Sequence, residues 1–67
     1  MKEKLDISKF PWHLVKKITF HNITHQVMVL FRSGFELEMR PPDNDQWDEM
    51  LREAALKLDK DKQFYAA

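Results

Sequence analysis

No cysteine occurs in the chain, which excludes a disulfide framework and any thiolate metal site. The single glycine, Gly34, cannot supply a phosphate-cradling loop, which needs several glycines at fixed spacing. No apolar run approaches the about 20 residues that a membrane-spanning helix requires. The first residues, Met1 to Asp6, carry charges with no apolar stretch behind them, unlike a secretory leader. Together these absences lead us to expect a cytoplasmic protein that does not enter the membrane.

Net charge is also absent: 11 Lys and Arg balance 11 Asp and Glu over 67 residues. A neutral domain is a poor general binder of nucleic acid, because that binding draws most of its affinity from phosphate neutralisation. The charge is nevertheless lopsided, with a net +3 in residues 1 to 40 and −3 in residues 41 to 67. Acids gathered at the start of a helix, where they complement its dipole, account for most of the second value. So short a chain forms one thin-cored domain, burying only about 60% of the surface that its unfolded form exposes. With no disulfide or thiolate metal to staple it, self-association is the most available source of further stability.

What is present reads as a β-meander over residues 14–40. Residues 1–13 form a lead-in strap expected to be extended, with Leu5 and Ile7 spaced by two and Phe10-Pro11-Trp12 as an aromatic bend. Pro11 pushes Phe10 toward extended geometry and cannot donate to a ladder. The first strand begins near Leu14, with Ile18 and Phe20 inward and Lys17, Thr19 and His21 outward. The same alternation places Lys16 on the inner face at the rim. The first connection, Asn22 to His25, holds neither Gly nor Pro, so its turn type is unreadable. The second strand, Gln26 to Phe31, is apolar on both faces, with Val27, Val29 and Phe31 on one and Met28 and Leu30 on the other. Such a strand is usually central and covered twice.

Arg32-Ser33-Gly34 admits two turns. A three-residue loop with Gly34 left-handed places Phe31 opposite Phe35, Val29 opposite Leu37 and Val27 opposite Met39, which gathers one apolar face. Glu36, Glu38 and Arg40 then point outward. Pro41-Pro42 ends the sheet. A helix over 43–62 follows, capped by Asp43 with Gln46 three residues on, and Trp47, Met50, Leu51, Ala54 and Leu58 form its apolar stripe. Leu56 lies opposite that stripe. Residues 63–67 form a tail that is either docked through Tyr65 or loose. The expected fold is therefore α+β, a three-stranded antiparallel meander with one C-terminal helix packed on one face.

Catalytic chemistry is not expected. The serines and threonines sit in no recognisable nucleophile setting, and the acids lie mainly at a helix start. His21 and His25 flank a turn and point to opposite faces, where His25 is expected to face solvent, so no metal, cofactor or small-molecule ligand is implied. The pattern points instead to a protein-protein interaction module, an adaptor, regulator or inhibitor that associates with itself or with an unidentified protein. Its candidate contact residues are Met28 and Leu30, on the face the helix leaves bare, with Phe10 and Trp12 beside them. A homodimer competes with a monomer whose strap folds over that face. The alternative is a nucleic-acid-binding accessory protein using Lys16, Lys17, His21, Arg32 and Arg40 on a basic sheet side.

Overall fold

The computed structural model describes residues 7–66. Among them, strand β1 is Val15–His21, β2 is Val27–Phe31, β3 is Glu36–Met39 and β4 is Gln63–Ala66, and the α-helix α1 is Asn44–Lys57. The sheet runs in the order β3-β2-β1-β4. The α+β arrangement is as the sequence indicates, a meander with the helix on one face. It has one addition: after α1 the chain returns to lay β4 alongside β1 in parallel, so the sheet is mixed and four-stranded. Parallel neighbours require a crossover connection, and α1 supplies it. The expected tail is thus a strand as far as Ala66, and Tyr65 stacks on Phe20 with ring centroids 5.6 Å apart.

The second turn adopts the three-residue form. Phe31 N–H donates to the Phe35 carbonyl at 2.9 Å, Gly34 has φ 94°, and Val29 faces Leu37 while Val27 faces Met39. A Cβ at position 34 would meet no atom within 4 Å, so Gly34→Val branches into open space. Its cost lies in the backbone alone, about 1–2 kcal/mol for an L-residue held left-handed. Chemical denaturation should show the midpoint falling for Gly34→Val and falling less for Gly34→Asn, and an unmoved midpoint for both would contradict this turn.

The first turn is built differently. His21 N–H donates to the Gln26 carbonyl at 2.9 Å, His25 N–H donates to the His21 carbonyl at 2.8 Å, and His25 itself takes the left-handed conformation with φ 60°. Histidine is one of the few residues enriched there. Its ring lies flat on the Trp47 indole, 4.5 Å between centroids and 8° between planes. His25 is therefore half-buried against the helix instead of facing solvent.

Two further expectations are corrected in β1 and in the lead-in. Val15 pairs with Phe31 but Lys17 pairs with Leu30, so Lys16 is an extra residue in a β-bulge. The bulge reverses the alternation: Val15 and Ile18 are both buried, and Lys16 and Lys17 are both exposed, so Lys16 is not on the inner face. The described part of the lead-in is not extended. It winds into 3₁₀ turns at Ile7–Lys9 and Trp12–Leu14, both lying against α1. Leu5 lies outside the described residues.

Helix α1 starts as its sequence dictates, with Gln46 N–H donating to Asp43 Oδ1 at 2.8 Å. Trp47, Met50 and Ala54 are buried, Leu51 and Leu58 pack at the margin, and Leu56 is 79% exposed. The helix ends at Lys57 and not at 62, because the chain must unwind to reach the β1 edge. Leu58 is already extended. No glycine caps this end. Instead Gln63 donates through Nε2 to the Leu58 carbonyl at 3.0 Å, one of the oxygens that a helix terminus leaves without partners, and shares the Ala54 carbonyl, at 3.1 Å, with the Leu58 N–H.

Candidate interaction surface

Among the described residues the sheet has a helix on one face only. Its inner face, formed by Val15, Ile18, Phe20, Val27 and Val29, is fully buried against α1 and the lead-in turns. On the outer face, strand register sets the side chains in rows. One row runs Glu36, Leu30, Lys17 across β3, β2 and β1, and the next runs Glu38, Met28, Thr19, Phe64 across all four strands. Met28 and Leu30 are half-buried by their neighbours, and Phe64 is 44% exposed.

Two polar contacts among the described residues shape this face. Gln26 donates through Nε2 to Glu38 Oε1 at 2.8 Å, and Lys17 Nζ lies 4.8 Å above the centre of the Phe64 ring. Among the described residues Lys17 has no carboxylate partner and Glu36 has no cation. Lys17, Thr19, Met28, Leu30 and Glu36 ring a shallow depression of about 100 Å³. Small-molecule sites are typically about 300–1,000 Å³, so this relief suits contact with another surface better than enclosure of a ligand.

Phe10 and Trp12 do not join Met28 and Leu30. Trp12 is buried on the helix side, donating through Nε1 to the Ile7 carbonyl at 3.3 Å, and is a core residue. The Phe10 ring packs 4.7 Å from Trp12 and 6.2 Å from Phe31, on the same side. The four candidate contact residues are thus divided between two faces, and the lead-in seen here covers the opposite side of the sheet from Met28 and Leu30. Residue Phe64 replaces Phe10 and Trp12 as the aromatic of the outer face. Only its place in β4 reveals it, because alternation over four residues is invisible until the strand is known.

The five cationic candidates are also dispersed. Lys17 and His21 lie on the outer face and Lys16 sits in the bulge. Arg32 is in the second turn, whereas Arg40 follows the far end of β3. Glu36 and Glu38 share the outer face with Lys17, so the five residues do not form one basic surface. The described residues contain no grouping of three His, Asp or Glu that could hold a metal ion. No helix among them is long and apolar enough to cross a membrane. No protein-family model, no curated protein and no solved structure matches this chain.

Proposed function

We propose that this chain is a protein-protein interaction module that associates with itself through the outer face of its sheet. One observation carries the reading: β2 is apolar on both sides, while α1 and the described lead-in turns are all packed on one side. Met28, Leu30 and Phe64 are left as an apolar strip flanked by charge. Burying such a strip against another surface yields about 25 cal/mol for each Å² of apolar area removed from water. Methionine adapts its shape to a partner more readily than branched side chains do. Strands about 4.8 Å apart offer at most a few hundred Å² per subunit, at the small end of specific interfaces, so weak association is expected.

Sedimentation equilibrium from about 1 to 200 µM tests this. The expected result is a concentration-dependent species of twice the 8.1 kDa chain mass, converted by Leu30→Lys into a folded monomer. Met28→Lys should act in the same way, because both positions lie on the outer face and neither belongs to the fully buried core. A monomer at every concentration would overturn the proposal.

A further inference from the structure

The outer face is not uniform in charge, and its asymmetry restricts how two copies can meet. Register places Leu30 between Glu36 on β3 and Lys17 on β1, with acid on one side of the central strand and base on the other. Glu38 extends the acidic side along β3. Both Lys17 and Glu36 are exposed, and among the described residues neither has a partner of opposite charge. Two face-to-face arrangements with two-fold symmetry keep the strands aligned. An axis lying across the strands sets β3 on β3 and brings the glutamates of both copies together. An axis lying along β2 sets each β3 over the partner's β1, so acid meets base on both flanks, with β4 and its Phe64 at the margin beyond the partner's β3.

We propose that the self-association surface takes a second copy of this chain in the latter orientation, with Glu36 of each copy facing Lys17 of the partner subunit. This rests on the reading of the outer face as a self-association surface and adds its geometry. Leu30 and Met28 then meet their own symmetry mates along the axis, as an isologous contact requires. Aligned sheets pack about 10 Å apart at about 30°, a gap that apolar side chains from both sides fill. The flanking ions at the wet rim select orientation more than they add affinity, because like charges brought together are costly while exposed pairs gain little. Lys17 is already held over the Phe64 ring, which limits the side-chain freedom lost when a carboxylate arrives.

The decisive experiment mixes two charge reversals. Each of Glu36→Lys and Lys17→Glu places two like-charged pairs in its own homodimer, and each should weaken association at least about tenfold at low salt, where screening is least. Mixed together, the two variants restore opposite charges at both flanks, so they should form a 1:1 heterodimer within a few-fold of wild-type affinity. Native mass spectrometry with one variant isotopically labelled reads the composition directly, and far-UV circular dichroism verifies that both exposed substitutions leave the fold intact. If wild type dimerises but the single variants do so equally well, or the mixture stays monomeric, the orientation is wrong and self-association survives. If wild type is monomeric throughout, self-association itself fails, and the orientation with it.

Discussion

Phe20→Ala should leave a chain that is largely unfolded at room temperature. Phe20 is the largest of the fully buried side chains and sits on β1, the strand paired to both β2 and β4. Its ring meets Trp47 edge-on at 5.6 Å and lies stacked on Tyr65 at 5.6 Å, joining the helix to the last strand. Phe→Ala in a core typically costs about 3–5 kcal/mol, through lost transfer energy and the cavity left behind. A domain of this length has a total stability of about 3–10 kcal/mol, so the substitution consumes much or all of it. Far-UV circular dichroism on heating should show no cooperative transition, or one lowered by at least about 12 °C given the usual 4–8 °C for each kcal/mol. A midpoint close to wild type would mean that the centre of the core lies elsewhere.

Trp47→Ala is expected to cost a similar amount, about 3–5 kcal/mol, and to have a second, local consequence. The indole supports Phe20 on one side and provides the flat surface on which His25 rests in its left-handed conformation. A non-glycine residue held there costs about 1 kcal/mol or more, and the ring stack offsets it. Loss of the indole should therefore loosen the first turn beyond the general destabilisation, with amide exchange at Asn22 to Gln26 rising ahead of the β2 and β3 amides. Leu56→Ala is the control: at 79% exposure it should change stability by no more than about 0.5 kcal/mol. Leu51, only half-buried, should fall between them. A Leu56 effect larger than that of Trp47 would mean that the helix presents its other face to the sheet.

The second hairpin was readable because two independent signals agree. A lone glycine sits where a left-handed residue is needed, and only one register gathers Val27, Val29, Phe31, Leu37 and Met39 on a single face. The helix start was readable from Asp43 and Gln46, and its inward side from the spacing of Trp47, Met50 and Ala54. Its end was not, because no glycine or asparagine marks the stop and the capping group is the side-chain amide of Gln63, beyond the positions at which a helix end is ordinarily read. Strand β4 was hidden for a related reason: Gln63-Phe64-Tyr65-Ala66 is too short to display a period, and its pairing with β1 depends on where the helix delivers it. The bulge at Lys16 escaped detection because neither proline nor glycine marks it. Among the candidate contact residues, Met28 and Leu30 were legible from the two-sided apolar character of β2. The lead-in offers Phe10 and Trp12 as the nearest aromatic cover for that face only if the strap lies across it, whereas tertiary packing draws Trp12 into the core on the helix side.

The parallel pairing of β4 with β1 also carries a kinetic consequence. Ile18 and Gln63, which face one another, are about 45 residues apart, whereas both hairpins close over short turns. Distant contacts must overcome loop-closure entropy before they contribute stability, so the hairpins are expected to form early in folding and the edge strand to dock last. On the reverse path β4 is the segment that can leave while the meander stays paired. Its departure would withdraw the Gln63 amide from the end of α1 and the Tyr65 ring from Phe20 at the same moment. Helix fraying and edge-strand release are thereby one event, a partial opening at lower free energy than global unfolding.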